Sequence, residues 1–286
     1  MTKKLENKYD FAIIFDVKNG NPNGDPDNDN TPRIDIETGH GYTTDVFIKR
    51  RIRDYIQLTQ GNKNTHDIFI KNRAVINNML NEIQSEEIQA IKNKHERMDA
   101  ARDALCDKYY DVRTFGAVLS TNKDNPENKA TNVTGPVQIT FCDSIDPINV
   151  DTSNTITRVC YTTQKKADGE GESEIGVKHN IPYAAYIGYG FISSPLANKT
   201  GFNIDDLNLL FESLKNMFEN TRTASKGMMT MRKIVVFKHK SQFGNVPSAE
   251  LFEQIEIKKN KEIIRNWQDY DFNVENKYDN VEIKVI

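Results

Sequence analysis

The stretch Gly20-Asn-Pro-Asn-Gly-Asp-Pro-Asp-Asn-Asp-Asn-Thr-Pro-Arg33 separates a predicted strand, Tyr9–Val17, from a predicted helix, Thr44–Leu58. Twelve of its fourteen residues are Pro, Gly, Asn or Asp. Proline lacks the backbone donor that helices and sheets use, and the other three residue types favour turns. A loop of this kind between two ordered elements is either a binding or catalytic loop on a rigid scaffold or a solvated connection. Composition alone leaves both interpretations open.

The two flanking segments have clear periodicity. Tyr9–Val17 carries apolar residues on both faces, which is typical of a central strand. Thr44–Leu58 begins with a residue that can cap a helix and continues with an apolar stripe at helical spacing. The loop is therefore predicted to be held between a buried strand and an amphipathic helix.

The rest of the chain alternates helical and strand-like segments. Further helices are predicted over Arg73–Glu82, Glu86–Tyr109, Asp111–Leu119, Asp205–Glu219 and Ala249–Ile257. Further strands are predicted over Asp67–Lys71, Gly135–Phe141, Ile156–Thr163, Ile181–Ile192 and Met231–Lys238. Ser120–Thr134 reads as a polar loop, and Gln164–Lys178 as an exposed hairpin or flexible loop. With no internal repeat and no clean boundary, the pattern predicts one α+β sheet domain, residues 1–286, that carries insertions.

Composition excludes several classes of protein. No apolar run approaches the roughly 20 residues of a membrane helix, and no apolar segment follows the N-terminal lysines as in a signal peptide. Three widely spaced cysteines form neither a zinc pattern nor a disulfide framework. We therefore expect a soluble cytoplasmic protein with incidental thiols and no membrane contact.

Positive charge is concentrated although the net charge is −3. The segment from Thr221 to Ala249 contains no acidic residue, and a second basic cluster is Lys49-Arg50-Arg51-Ile52-Arg53. Basic patches on an acidic body are expected of a protein that holds a polyanion along one track. A single cluster is more often a solvated face, but two clusters in different settings favour the polyanion.

Several short motifs occur in a fixed order along the chain. The N-terminal ones are Asn21-Pro-Asn-Gly-Asp-Pro26, Pro32-Arg33, and Thr44-Asp45 running into Lys49-Arg-Arg-Ile-Arg-Asp-Tyr55. The later ones are Asp111-Val-Arg-Thr-Phe-Gly116, Gly135-Pro-Val-Gln138, Ser144-Ile-Asp-Pro147, Thr200-Gly-Phe202, Asp206-Leu207 and Phe237-Lys-His-Lys240 with Gly244. Over nearly the whole chain this combination resembles the crRNA-binding backbone subunits of type I CRISPR Cascade complexes, the Cas7 family of the RAMP superfamily. The type I-C form is the most similar, and the type I-B form shares the N-terminal motif.

The resemblance implies a modified RRM-like, ferredoxin-like palm, with a helical finger insertion at about residues 60–134 and a β-hairpin thumb at about 160–180. It implies a non-catalytic subunit without cofactor or metal, which polymerises head-to-tail along a crRNA spacer. The implied partners are crRNA, target DNA paired to it, further copies of the chain, the crRNA-processing subunit that binds the 5′ handle, and the large subunit. No RNP-type aromatic run is present, so we expect loops and a helix, rather than sheet aromatics, to hold the RNA.

A protein that accepts any guide must grip phosphates and 2′-hydroxyls and leave base edges free. The predicted RNA-binding residues are Asn21, Asn23, Arg33, Lys49, Arg50, Arg53, Arg222, Ser225, Lys226 and Gly227. Lys49 and Arg53 are four residues apart and share a helix face. Arg51 is left open between RNA contact and a solvated or acid-paired position. Lys226 stands where the family pattern has an arginine, and so supplies a point charge rather than a bidentate fork.

The alternative function is catalytic. Asp25, Asp27, Asp29 and Asp35 lie close together in sequence, and paired carboxylates can hold Mg²⁺. Backbone subunits of the related type III complexes cleave RNA with an aspartate in a comparable loop. The alternative is therefore a metal-dependent endoribonuclease that uses Asp25, Asp27 and Asp29. The scattered histidines and the missing nucleotide-binding phosphate loop add nothing to an enzymatic interpretation.

Overall fold

A computed structural model describes residues 3–61, 63–118, 132–149, 153–157, 160–170 and 175–286. The described residues form strands β1 Tyr9–Gly20, β2 Gly24–Asp25, β3 Thr31–Pro32, β4 His40–Thr43, β5 Gly116–Ala117, β6 Val133–Thr134, β7 Val137–Pro147, β8 Ser153–Thr157, β9 Ile175–His179, β10 Ile181–Ile192, β11 Met228–His239, β12 Ile255–Lys259, β13 Tyr270–Val274 and β14 Val281–Val285. The α-helices are α1 Asp45–Gln60, α2 Ile76–Glu82, α3 Glu86–Ala90, α4 Lys94–Lys108, α5 Tyr110–Phe115, α6 Ser194–Thr200, α7 Ile204–Asn216 and α8 Ser248–Phe252.

Six of the strands form one antiparallel sheet in the order β14-β11-β1-β10-β7-β4. The central four strands and two helices follow one another along the chain as β1-α1-β7-β10-α7-β11. The predicted mixture of helices with one central sheet is confirmed. Among the described helices, every one is too short or too polar to cross a bilayer.

Helices α1 and α7 cover one face of the sheet. Alternate residues of β1, among them Phe11 and Phe15, point to that face and are fully buried. They share a core with Ile52 of α1 and with Leu210 and Leu214 of α7. Burial of large apolar side chains stabilises by about 1.5–3 kcal/mol each, so this layer fixes the position of α1 on the sheet.

The C-terminal segment covers the opposite face. Ala12 and Val235 of the sheet pack there with Leu251 of α8. The ring of Tyr189 on β10 stacks on Phe252 with 4.3 Å between centroids. Because β1 is covered on both sides, the sequence prediction of a central strand is confirmed.

The segment between α1 and β7 forms a second apolar cluster. Phe69, Leu80 and Leu105 are buried in it. A buried ion pair between Arg113 of α5 and Asp206 of α7, 2.7 Å from Nη2 to Oδ1, joins this segment to the helix layer. The insertion is therefore attached to the sheet domain through a specific charged contact.

The predicted strand at 67–71 is wrong. Asp67 makes an isolated bridge with Tyr109, and the following residues are irregular. The backbone N–H groups of Phe69 and Ile70 donate to the carboxylate of Asp111, at 2.7 and 3.1 Å. A side chain has replaced the neighbouring strand that the pattern predicted.

One predicted helix is divided in two, and another ends earlier than the sequence suggested. Glu86–Tyr109 is divided into α3 and α4, because the side chain of Asn93 accepts a hydrogen bond from the N–H of His95 and starts a new helix. Asp111–Leu119 ends at Gly116, whose φ of 84° lies in a region that glycine enters readily.

The predicted helix Ala249–Ile257 is helical only as far as Phe252. Ile255 and Ile257 belong to β12, two residues apart on the strand, and both pack against the core on the C-terminal side of the sheet. The spacing of two between Ile255 and Ile257, which is typical of a strand, directly follows the short helical segment, and the sequence prediction missed it.

The predicted exposed hairpin begins earlier than expected. Strand β8 pairs with β9, so Ser153 lies opposite His179. The predicted strand Ile156–Thr163 overlaps β8 at its first two residues, and positions 158 and 159 lie outside the described residues. The predicted polar loop Ser120–Thr134 lies mostly outside them as well.

Candidate nucleic-acid interface

The Gly20–Arg33 loop is folded rather than merely connecting. Its two ends pair as a minimal hairpin in which Gly24 lies opposite Pro32. Asp29 and Asn30 have positive φ values of 46° and 57°, which place the turn in the left-handed region. A Cβ at Gly24 would lie 2.0 Å from the side-chain oxygen of Asn30 and 2.9 Å from its backbone carbonyl oxygen, so a larger residue would displace this turn. The sequence dictates one compact loop shape.

Asn23 attaches this loop to α1. Its Oδ1 accepts hydrogen bonds from the N–H of Thr44 at 3.0 Å and from the Thr44 hydroxyl at 3.3 Å. Thr44 in turn caps the helix by accepting from the N–H of Phe47 at 3.2 Å. Asn21 is buried and donates to the carbonyl of Asn30 at 2.7 Å. Both predicted asparagines therefore shape the loop through internal contacts.

The structure brings the loop together with the Thr221–Gly227 turn. The N–H of Asn21 donates to the carbonyl of Ser225 at 2.7 Å. A Cβ at Gly20 would lie 2.9 Å from the same oxygen, which explains glycine at this crossing. Two candidate contact sets that are far apart in sequence thus form one continuous surface.

Two of the predicted cations on α1 are already paired. The Nζ of Lys49 lies 2.8 Å from the carboxylate of Asp45. Arg50 donates to Asp54 through two guanidinium nitrogens and to the carbonyl of Ile70 at 2.9 Å. Their charges are largely neutralised within the protein, although both side chains keep some exposure.

The side chain of Arg53 is mostly buried, with 11% of its surface exposed. Its Nε donates to the carboxylate of Asp111 at 2.7 Å, and that carboxylate also holds the backbone of residues 69 and 70. The side chains of Lys49 and Arg53 both lie over the ring of Phe115, at 5.8 and 5.3 Å, as their shared helix face predicted. Arg53 joins α1 to the insertion, and its contact with RNA remains a prediction.

The 221–227 turn is supported by Arg222. One guanidinium nitrogen donates to the carbonyl of Gly227 and another to the carboxylate of Glu219. The Arg222 side chain is 44% exposed, and Ser225 contributes its carbonyl to the loop contact. Arg222 both closes the turn and leaves charge at the surface.

Arg51 and Lys226 meet over a single aromatic ring. The Arg51 guanidinium carbon lies 5.6 Å from the ring centroid of Phe47, and the Lys226 Nζ lies 6.0 Å from it. The nearest carboxylate contact of Arg51 is with Asp54 at 3.6 Å, and Lys226 makes no ion pair among the described residues. We call these three residues, Phe47, Arg51 and Lys226, the cation cluster.

The cation cluster is short of negative charge. Burial lowers the pKa of Lys226, and the nearby charge of Arg51 lowers it further. Burial likewise lowers the pKa of Arg51, against the opposing effect of Asp54. An anion bound between the two side chains would reverse both effects, since opposite charge favours the protonated forms. The geometry is therefore suited to a phosphate group.

Sequence reasoning left Arg51 undecided. Its four-residue spacing from Phe47 was the available signal, because residues four apart lie on one helix face. The position of Lys226 near the same ring depends on the contact between the Gly20–Arg33 loop and the 221–227 turn. No local pattern reveals that contact.

The aspartates of the loop do not converge. Asp25 pairs with Arg33, 3.3 Å from Oδ1 to Nη2, while Asp27 and Asp29 are exposed. The carboxylate of Asp35 is bound within its own turn. Within the part of the chain that the structure describes, no group of three His, Cys, Asp or Glu side chains is placed to hold a metal ion.

Comparison with known proteins identifies the family. The sequence matches the family model described as CRISPR-associated protein Cas7 over residues 7–275. A curated relative, CRISPR-associated protein Cas7 of Haloferax volcanii, is 27% identical over 231 residues, which span 73% of this chain. The matched region is 65% of that relative's length, so the chain spans just under two thirds of it.

Two solved chains are similar in fold. One comes from a structure described as a CRISPR RNA-guided surveillance complex, pre-nicking, with a TM-score of 0.53 and 13% identity over 86% of this chain and 82% of that one. The other comes from a CRISPR RNA-guided surveillance complex, with a TM-score of 0.51 and 15% identity over 95% and 91%. At these identities the likeness concerns the fold.

Proposed function

This chain belongs to the Cas7 family of CRISPR-associated proteins, and we propose that it is a non-catalytic backbone subunit of a type I-C surveillance complex. In this proposal, copies of the chain polymerise along the spacer of a crRNA and hold its sugar–phosphate backbone without regard to sequence. The bases stay free to pair with target DNA during antiviral defence.

The observation that carries the proposal is the cation cluster. Arg51 and Lys226 lie over one ring, desolvated and with little matching negative charge. Such a pair binds a phosphate through charge and reads no base edge. It sits where α1, the Gly20–Arg33 loop and the 221–227 turn meet, so the RNA backbone follows this junction.

The remaining predicted contact residues have graded roles in the proposal. Asn21 and Asn23 set the loop shape, and Arg33 is oriented by Asp25. Lys49, Arg50 and Arg222 add positive charge at the surface, although each is also bound to a carboxylate. These side chains steer the RNA, and the cation cluster holds it.

The covered sheet supports a loop-and-helix mode of binding. The face opposite α1 and α7 packs against the C-terminal segment, for example through Tyr189 and Phe252. Bases could stack across the centre of that face only if the C-terminal segment moved away from the sheet. The RNA is therefore held from the side of α1 and its adjoining loops.

We describe the sheet with α1 and α7 as an RRM-like palm, which the strand order β11-β1-β10-β7 supports. The insertion at about 60–134 is assigned as the finger region. The β8–β9 hairpin is assigned as the thumb, which moves its beginning from about 160 to 153. The Nζ of Lys178 donates to the carbonyl of Ala224 at 2.6 Å, so the thumb stem adjoins the proposed RNA site.

The proposed partners are crRNA, target DNA paired to it, further copies of the chain, the subunit that processes crRNA and binds its 5′ handle, and the large subunit. The mechanism uses no metal or cofactor. A cytoplasmic location stays a prediction of the sequence.

The test is binding of purified protein to RNAs of unrelated sequence and increasing length, at several salt concentrations and with Mg²⁺. We expect salt-sensitive, cooperative binding that ignores sequence, with the RNA intact on a denaturing gel. Binding confined to one RNA sequence would contradict the proposal. Mg²⁺-dependent cleavage that is lost on Asp25→Asn would replace it by the endoribonuclease alternative.

A further inference from the structure

The β8–β9 hairpin reaches the 221–227 turn through the side chain of Lys178. The Nζ of Lys178 donates to the backbone carbonyl of Ala224 at 2.6 Å. Lys178 makes no ion pair among the described residues, so its ammonium group is directed at a neutral oxygen of the turn rather than at a carboxylate. One identifiable hydrogen bond therefore joins the hairpin to the turn that carries Lys226.

The central sheet fixes the place from which Lys178 reaches the turn. Lys178 lies three residues before Ile181, which is fully buried and pairs with Gly20 at the end of β1. Gly20 approaches the carbonyl of Ser225 so closely that a Cβ there would lie 2.9 Å from that oxygen. The start of β10, the end of β1 and the turn therefore meet at one point, and the hairpin leaves the sheet beside it.

The 221–227 turn is held from two sides through successive carbonyl groups. The carbonyl of Ala224 accepts from Lys178, and the carbonyl of Ser225 accepts from the N–H of Asn21 at 2.7 Å. The turn lies between α7 and β11 and outside the helices and strands, so regular backbone pairing does not fix its shape. These contacts with the hairpin and with the Gly20–Arg33 loop therefore decide where its backbone runs.

The contact acts on the cation cluster by position rather than by charge. Burial, and then the charge of Arg51, lowers the pKa of Lys226. Lys178 instead donates to a backbone carbonyl that belongs to the second residue before Lys226. The Lys226 Nζ lies 6.0 Å from the ring centroid of Phe47, which is already at the roughly 6 Å limit of a cation–π contact. A small displacement of the turn would therefore take the ammonium group off the ring.

We propose that Lys178 is a positioning residue for RNA binding, which holds the 221–227 turn so that Lys226 stays at the ring of Phe47. The position of the hairpin and the affinity of the cation cluster for RNA are then coupled, and the coupling is reciprocal, so bound RNA strengthens the contact between Lys178 and the turn. The inference rests on the proposed function, because it names what prepares the cation cluster for a phosphate group.

The first test is a double-mutant cycle on RNA affinity, measured by fluorescence anisotropy. Lys178→Met is expected to weaken binding about 3- to 10-fold, because the loss of one hydrogen bond releases the turn. In a Lys226→Ala background the same substitution is expected to cause no further loss. Lys178→Arg keeps a donor on a side chain of similar length, and is expected to bind RNA like the unmodified protein.

The matched control is Lys165→Met. Lys165 is an exposed lysine between β8 and β9, so the variant loses the same charge from the same hairpin. Its RNA affinity is expected to stay within about twofold, since an exposed charge outside the cation cluster is screened by salt. Equal losses in Lys165→Met and Lys178→Met would mean that the hairpin supplies only charge, and would overturn the positioning role. Additive losses for Lys178→Met and Lys226→Ala would also overturn it, because Lys178 would then touch the RNA itself.

The second test follows Lys226 in the protein without RNA. In protein with isotope-labelled lysine side chains, NMR gives a Cε resonance for Lys226, which is assigned by its absence from Lys226→Arg. The dependence of this resonance on pH reports the pKa of Lys226. We expect Lys178→Met to raise that pKa toward the value of an exposed lysine, because the released side chain regains water. An unchanged titration of Lys226 in Lys178→Met would contradict the proposed positioning.

The outcomes separate this inference from the proposed function. Normal RNA affinity in Lys226→Ala would overturn the cation cluster as the RNA site, whereas a raised pKa of Lys226 in Lys178→Met would still support the contact between hairpin and turn. Weaker RNA binding by Lys226→Ala, together with an unchanged titration in Lys178→Met, would overturn the role of Lys178 and leave the proposed function in place.

Discussion

Helix α1 carries positive charge on two sides, and the two sides are used differently. Toward the insertion, the mostly buried Arg53 pairs with the fully buried Asp111, so its charge is matched. Toward the 221–227 turn, Arg51 and Lys226 share the ring of Phe47 with little matching charge. In the sequence these cations look alike. The comparison teaches that a basic run combines residues that hold the protein together with residues left to hold an anion.

The largest expected effect is on stability, and it comes from removing the ion pair between Arg53 and Asp111. Asp111→Ala removes the partner of a buried guanidinium and of two backbone N–H groups. Loss of one partner of a buried ion pair costs about 3–5 kcal/mol. We expect the free energy of unfolding, measured in urea, to fall by about that amount.

The matched control for this change is Asp99→Ala, which removes an exposed pair with Arg102. Surface pairs contribute about 0–1 kcal/mol, so the control is expected to unfold almost like the unmodified protein. Equal effects of the two substitutions would remove the distinction between the two sides of α1.

The next effect comes from the unmatched side. Replacing both Arg51 and Lys226 by Ala is expected to weaken RNA binding about 10- to 100-fold, since two partly solvated charge-assisted contacts are lost. Stability is expected to change by less than about 0.5 kcal/mol or to rise, because two repelling charges are removed. Fluorescence anisotropy with labelled RNA, alongside urea unfolding, measures both quantities. Normal affinity combined with lower stability would reverse the assignment.

A smaller expected effect is a dependence of RNA affinity on pH, which reports on the charge of Lys226. The lowered pKa of Lys226 means that its charge is lost at lower pH than for an exposed lysine. As pH rises through that range, RNA affinity is expected to fall. Stability of the free protein is expected to rise there, because the unfolded chain still binds the proton that the folded chain has released.

Lys226→Arg is the control for the pH effect, since arginine stays charged. Its RNA affinity is expected to decline only at higher pH. If both proteins show the same pH profile, Lys226 does not contribute its charge to binding.

The smallest expected effect concerns the loop carboxylates. Replacing Asp27 and Asp29 by Asn changes two exposed side chains that hold neither the loop hairpin nor the cation cluster. RNA affinity is expected to stay within about twofold or to rise slightly as negative charge is removed. A titration with RNA and a denaturing gel checks this. A loss of RNA cleavage in these variants would show that the unmodified loop is catalytic.

Much of the fold follows from local sequence. The apolar faces of Tyr9–Val17 predicted a strand covered on both sides, and the stripe of Thr44–Leu58 predicted the helix on it. The secondary-structure prediction failed at 67–71, where a side chain remote in sequence makes the hydrogen bonds. Asp111 supplies the hydrogen bonds that a neighbouring strand would have made at 67–71.

The candidate site followed the same rule. The composition of the Gly20–Arg33 loop left open whether it is a binding loop or a solvated connection, and the structure shows a folded hairpin. Lys226 is among the residues that the sequence predicts to contact RNA, and that contact stays a prediction. Which α1 cations are neutralised depends on Asp111 and on the 221–227 turn, both remote in sequence. The charge pattern therefore predicted which segments are rich in positive residues. Which of those residues pair with a carboxylate depends on how the chain packs.

The most direct test of the central claim is the salt dependence of RNA binding by three proteins: the unmodified chain, Arg51→Ala with Lys226→Ala, and Lys49→Ala with Arg50→Ala. Each phosphate contact on single-stranded RNA contributes about 0.7 to the slope of log affinity against log salt. We predict that the slope falls by about 1.4 for the first pair and by clearly less for the second, whose charges are already matched by Asp45 and Asp54. An unchanged slope for Arg51 and Lys226 would contradict the claim that these two residues hold the RNA backbone.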